Sequence, residues 1–233
     1  MFDYLRSRTD GTAFVNWDYD YLQDMSKGIS SVVKYGTGEG MVVRGKLLHA
    51  EPFLQLELQH EHTRLLVFTQ LVGAYNLPNV IAAAAVGLHF GVALADIRQA
   101  IQAYTPSNSR SQMVKQGEHH IILDAYNANP SSMRVAIENL ARLEAPNKIL
   151  ILGAMAELGP ESLAEHQAIV DLIGEYKWEA VALVGGDFQQ LSHPYRQFEN
   201  SAAAREWWQS EQFPPSHVLI KGSRSTQMEN VIQ

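Results

Sequence analysis

The sequence predicts an α/β protein in two parts, a β-rich stretch closed by two helices and then a doubly wound parallel α/β unit. Three observations carry this. Apolar runs of strand length alternate with helical segments after residue 105. Short β segments cluster between Ile29 and Val72. Between the two, Thr105-Pro106-Ser107-Asn108-Ser109-Arg110-Ser111 combines a helix-disfavouring Pro with turn-forming Ser and Asn. The predicted domains are therefore 1–105 and 106–233.

In the first part, Ser31 to Val33, Met41 to Val43, Phe53 to Leu58 and Arg64 to Phe68 read as strands. Alternation in the third, and Gly-rich breaks before the second, predict an antiparallel or mixed ribbon with one wet face. A helix near Val80 to Phe90 is rich in Ala, which permits close approach of another element. A second, near Ala95 to Tyr104, sets Ile97, Ile101 and Tyr104 on one side. Beyond the boundary, Ile121 to Leu123, Ile149 to Leu152, Ala180 to Val184 and Val218 to Ile220 read as buried strands. Helices near Ser131 to Leu143, Leu163 to Tyr176, Ala202 to Ser210 and Thr226 to Ile232 separate or follow them, the pattern of a parallel sheet with helical crossovers. Met133, Ile137 and Leu140 share one helix face, and Trp207-Trp208 is expected to pack beneath the sheet.

A chain of 233 residues that is 46% hydrophobic can build real cores. Its net charge of -7, with Lys and Arg scattered, gives no footprint for nucleic acid or an anionic membrane, so small molecules or proteins are the expected partners. Cysteine is absent, which excludes disulfides and thiolate metal sites. The N-terminus lacks a signal-type apolar core, and no run has the length of a membrane span, so a soluble protein with the cytosol as default is expected. His60, His62, His119 and His120 lack a convincing ligand spacing and read as exposed strand positions; no metal site is predicted.

The most informative stretch is Asp124-Ala125-Tyr126-Asn127-Ala128-Asn129-Pro130, where a strand delivers polar groups to a helix start. Strand ends line the ligand crevice in open α/β sheets, and free N–H groups at a helix start favour anions. An ordinary turn, with an Asn cap and Pro at the first helical position, is the alternative. Gly73-x-x-Asn76-x-x-Asn79 places two carboxamides able to match an adenine edge, although taken alone capping by Asn79 is the better explanation. Arg110 can fork onto phosphate or ribose oxygens. Lys221-Gly222-Ser223-Arg224-Ser225 ends the last strand with cations, hydroxyls and a Gly that lets backbone approach an anion, and Gly153 to Gly159 offers Glu157 to the same edge.

Taken together, these motifs resemble those of the ATP-dependent Mur ligases, in consistent order from Phe2 to Ile232. The Tyr-Asn-Ala-Asn and Lys-Gly-Ser-Arg pieces are most similar to the branch that adds D-alanyl-D-alanine to UDP-N-acetylmuramoyl tripeptide. The resemblance implies that residues 1–105 are the tail of a central ATP-binding domain and that 106–233 form a Rossmann-like C-terminal domain. It implies ATP and Mg2+ as cofactors, an acyl phosphate intermediate, a cytoplasmic monomer, and no direct nucleic-acid or membrane partner. Residue by residue, it sets Asn76 and Asn79 toward adenine, Arg110 toward phosphate or ribose, and Asp124 toward the ribose hydroxyls. Tyr126, Asn127 and Asn129 would complete the nucleotide wall or the domain contact. Glu157, Lys221, Ser223 and Arg224 would lie across the cleft and hold the dipeptide carboxylate or acyl-phosphate oxygens.

Departures are also visible. Ala154 stands where relatives commonly carry Asp, Ala125 where many have Ser, and Ala74-Tyr75 where Glu-His is frequent. No G-x-x-x-x-G-K-[ST] phosphate loop occurs, and Met1 to Leu5 resembles the helix just past the family's magnesium-holding lysine. The expectation is a piece of a larger ligase, catalytically inactive alone, with no catalytic residue assigned. Alternatives are a stand-alone nucleotide- or peptide-binding module, or a related Mur or polyglutamate-type ligase.

Overall fold

The computed structural model describes residues 1–107 and 109–233, and its contacts divide them into two compact units, Met1–Thr105 and Pro106–Gln233. The first unit begins with α1 (Phe2–Arg6), β1 (Thr12–Asn16) and α2 (Asp20–Ser26). It continues through β2 (Ser31–Gly36), β3 (Val43–His49), β4 (Gln55–His60) and β5 (Thr63–Phe68) to α3 (Leu77–His89) and α4 (Leu94–Ala103). Its sheet has the order β1-β2-β3-β4-β5, parallel from β1 to β3 and antiparallel from β3 to β5.

The strand period explains which face this sheet buries. Leu56 and Leu58 of β4 are fully buried against α3, while Gln55, Glu57 and Gln59 point the other way. Ile81, Ala84 and Ala85 bring α3 onto the sheet. The approach is so close that a Cβ on Gly45 would meet Ile81 Cδ1 at 2.4 Å, which is why β3 carries a Gly at that point.

The second unit contains β6 (Gln112–Gln116), β7 (His119–Asp124), α5 (Pro130–Arg142), β8 (Lys148–Gly153) and α6 (Ser162–Gly174). These are followed by β9 (Ala180–Val184), β10 (Arg196–Phe198), α7 (Ser201–Ser210) and β11 (His217–Lys221). The sheet order is β10-β9-β8-β11-β7-β6, parallel throughout except for the antiparallel edge strand β6. Near-continuous burial of β8, β9 and β11 is the signature of a sheet covered on both faces. Trp208 packs in the core and donates its Nε1–H to Gln116 Oε1 at 2.9 Å, and Trp207 contacts Phe198 and Phe213.

Several elements differ from the expectation. β1, α2, β6 and β10 are too short, and too weakly periodic, to stand out in the sequence. The segment expected as a helix near Thr226 to Ile232 is instead two 3-10 turns, Arg224–Thr226 and Met228–Ile232, parted by Gln227 in a left-handed conformation (φ 48°). α3 begins at Leu77 with Asn76 before it, so Asn79 lies inside the first turn and does not cap it.

Candidate functional site at the carboxyl ends of the parallel strands

Parallel strands in register carry their last residues to one edge. Lys221 of β11 lies opposite Asp124 of β7 and opposite Leu152 of β8, so the segments after these three strands share that edge. Lys221 is 2% exposed, yet it bears a charge. Burial of an ammonium is tolerated only with partners, and it has two: Nζ donates to Asp124 Oδ2 at 2.6 Å and to the Asn127 carbonyl at 3.0 Å. The other carboxylate oxygen of Asp124 accepts the Ser111 backbone N–H at 3.1 Å and its hydroxyl at 3.5 Å. One carboxylate thus ties together the start of β6, the end of β7 and the end of β11.

This geometry changes what was expected of Lys221. The sequence reading set it across a cleft from Asp124, but adjacent strands in register make the two side chains direct partners. Neighbouring residues do present free surface. The Arg110 guanidinium lies 3.6 Å from the Tyr126 ring centroid, and both side chains are exposed. Ser109 and Ser111 on either side have φ of 56° and 46°, a left-handed setting that costs about 1–3 kcal/mol per residue and fixes where Arg110 leaves the backbone.

Asn127 accepts the Ala128 N–H on Oδ1 at 2.9 Å. Asn129 is the N-cap of α5: its Oδ1 accepts the Ser132 N–H at 2.9 Å, Ser132 Oγ accepts the Asn129 N–H at 3.1 Å, and Pro130 is the first helical residue. The capping interpretation is therefore met at Asn129 through its Oδ1 and its backbone N–H.

Ser223 is 1% exposed, donates its N–H to the Ala154 carbonyl at 3.1 Å and shares a hydrogen bond with the Ser225 hydroxyl at 2.9 Å. The exposed Arg224 turns to Glu229, Nη1 to Oε1 at 2.7 Å. Gly153 and Gly222 face each other at the ends of β8 and β11. A Cβ on either would strike Thr226 Oγ1 and Met228, at 2.5 and 2.7 Å for Gly153 and at 2.6 Å for both contacts of Gly222. These two glycines let the C-terminal turns fold over the strand ends.

Glu157 is exposed with φ 62°, unusual for a Glu, and no hydrogen bond or ion pair joins it to the other candidates among the described residues. Ala154 packs against Gly186, where a Cβ would lie 2.4 Å from the Ala154 Cβ, so a larger side chain at 154 has no room on that side.

In the first unit, the buried Asn76 donates Nδ2 to the Val72 carbonyl at 2.8 Å and accepts Asn79 Nδ2 on Oδ1 at 3.1 Å. Asn76 orients Asn79, and the exposed Asn79 presents its carboxamide outward.

One residue escaped the sequence reading. His166 of α6 is fully buried, accepts the Met155 N–H on Nε2 at 3.0 Å and hydrogen-bonds the Ser162 carbonyl through Nδ1 at 2.7 Å. Those roles fix the neutral Nδ1–H tautomer, and the ring props the loop that carries Glu157. A lone His in a helix gave no signal of its own. Only its placement one short helix after the Gly153 to Gly159 segment could have suggested it.

Residues 109–224 match the family of the Mur ligase glutamate ligase domain, and the second unit belongs to the Mur ligase family. Among individual relatives, the chain is 26% identical over 233 residues to UDP-N-acetylmuramoyl-tripeptide–D-alanyl-D-alanine ligase of Haemophilus influenzae, covering 96% of this chain and 50% of that protein. The Bacillus subtilis ligase of the same name is 34% identical over 181 residues, covering 71% and 39%. A crystal structure of MurF from Acinetobacter baumannii superposes with a TM-score of 0.82 at 26% identity, covering 96% of this chain and 51% of that one. The chain thus spans about half the length of these relatives at most.

Proposed function

We propose that the chain supplies two units of an ATP-dependent amide ligase of peptidoglycan precursor synthesis, joining D-alanyl-D-alanine to UDP-N-acetylmuramoyl tripeptide in the cytoplasm. The observation that carries this reading is the gathering of Asp124, Asn127, Lys221 and Ser223 on one strand edge, within the residues that match the Mur ligase family. A carboxylate is a poor electrophile, so amide formation requires its conversion to an acyl phosphate, which the dipeptide amine then attacks.

On this reading the buried groups hold the edge in shape and the exposed groups meet the ligands. Within the second unit, Arg110 and Tyr126 offer a planar cation and a ring to the nucleotide. Glu157 and Arg224 face the acceptor side, where charge-assisted hydrogen bonds would hold a carboxylate. The family resemblance adds Mg2+, but the residues present do not fit as its ligands. Both Asp124 oxygens are engaged, and the described residues contain no group of three His, Cys, Asp or Glu able to hold a metal ion. No helix among the described residues is long and apolar enough to cross a membrane.

The test is to titrate the 15N-labelled chain separately with ADP and with D-alanyl-D-alanine. ADP should shift amides at 110–129, and the dipeptide those at 155–158 and 221–225. Absence of saturable shifts from both ligands at millimolar concentration would sink the proposal. Saturable micromolar binding, combined with no ATP-dependent phosphate release when tripeptide and dipeptide are both present, would favour a stand-alone binding module.

A further inference from the structure

We propose that the outer face of β3, β4 and β5 in the first unit is an oxyanion site that takes a phosphate dianion, free or as a monoester. Arg44 and Lys46 of β3, Glu57 and Gln59 of β4 and Arg64 of β5 line a pocket of about 150 Å3 there. The register brings them together: Arg44 pairs with Gln59, Lys46 with Glu57, and Gln59 with Arg64. All five project from the face opposite the core, because Leu56, Leu58 and Val67 take the inward positions.

Charge is what sets this pocket apart. The chain carries a net charge of -7, yet here three cations meet one carboxylate, a local surplus of two positive charges. None of the three forms an ion pair within 4.0 Å among the described residues; Arg44 Nε instead donates to the Thr37 carbonyl at 2.9 Å. Like charges set on neighbouring strands oppose one another, and an anion between them removes that cost.

A phosphate near neutral pH carries about −1.5 to −2 charges and three strong acceptor oxygens, which matches the surplus. Pockets that take drug-sized organic ligands measure roughly 300–1,000 Å3, so a volume of about 150 Å3 selects a small anion or one terminal phosphoryl group. Leu66 and Phe68, two and four residues beyond Arg64 on the same face, are 48% and 53% exposed and form an apolar ledge for the body of a monoester. This site is built from residues of the first unit alone and stands whether or not the ligase proposal holds.

The experiment is an amide-shift titration of the full 15N-labelled chain with inorganic phosphate and, in a second arm, phenyl phosphate, with ionic strength held constant by NaCl. Saturable shifts at 44–46, 57–59 and 63–65 are expected. Lys46→Gln and Arg64→Gln should each weaken binding roughly tenfold, and Glu57→Gln should tighten it. Tighter binding of phenyl phosphate would assign the ligand as a monoester, and equal binding as free phosphate. Shifts that never saturate, that appear equally with NaCl, or that map to 221–225 overturn the proposal. The unmodified chain decides this even if a variant fails to fold.

Discussion

Replacing Lys221 by Met tests the central network. The ammonium is 2% exposed and its carboxylate partner side chain 16% exposed, so the pair sits where water screens little. Met fills the stem volume but leaves Asp124 charged beside the Ser111 N–H and the Asn127 carbonyl without its donor. Breaking a buried pair on one side costs about 3–5 kcal/mol, a large share of the roughly 5–15 kcal/mol that stabilises a domain. Urea unfolding followed by Trp fluorescence reads chiefly the second unit, because three of the four Trp residues (Trp178, Trp207 and Trp208) lie in it, Trp208 in its core; Trp17 reports the first unit and is replaced by Phe for this measurement. The double variant Asp124→Asn/Lys221→Met removes both charges and should recover at least about 1.5 kcal/mol relative to the sum of the single costs. A cost below about 1 kcal/mol for Lys221→Met, or strict additivity in the cycle, would refute the claim that this pair holds the strand edge together.

Further outcomes follow from single features. Gly222→Ala should destabilise the second unit by about 1–3 kcal/mol through overpacking against Met228 and Thr226, readable as a lower unfolding midpoint with unchanged denaturant dependence. His166→Ala leaves the buried Met155 N–H without an acceptor and should cost about 1–3 kcal/mol, with faster amide exchange at Met155. Asn129→Ala removes the α5 cap and should cost about 1 kcal/mol by thermal melting, whereas Asn129→Asp should cost less. His217 has its pKa lowered by burial, by the His120 ring stacked on it at 5.1 Å and by Lys148. The unfolded chain therefore binds a proton at higher pH than the folded one, so stability falls as pH drops through the ordinary His range near 6.5 and below. His217→Gln should flatten that slope in urea titrations at stepped pH.

The order of elements was readable where burial was complete. Ile149 to Leu152 and Val218 to Ile220 are strands buried on both faces, so an unbroken apolar run marks them. The edge strands β6 and β10 are mostly half-exposed and short, and their pairing is set by the sheet beside them, which no local pattern records. The candidate residues were found because strand ends and turns concentrate Asp, Asn, Lys and Gly. Their division of labour was not readable, because it depends on register. Lys221 looked like a ligand cation until its strand was seen to lie beside that of Asp124. Asn129 could be read as a cap, which the motif shape favoured, or as a ligand, and hydrogen bonding to Ser132 shows the cap.

The strand that comes last in the chain lies inside the second sheet, between β8 and β7. A ribosome must therefore deliver every residue up to Lys221 before that sheet can close, and until then two apolar strand edges stand open to wrong partners. Removing β11 would leave β6 and β7 cut off from the other strands and take away the Lys221 half of the ion pair that fastens them.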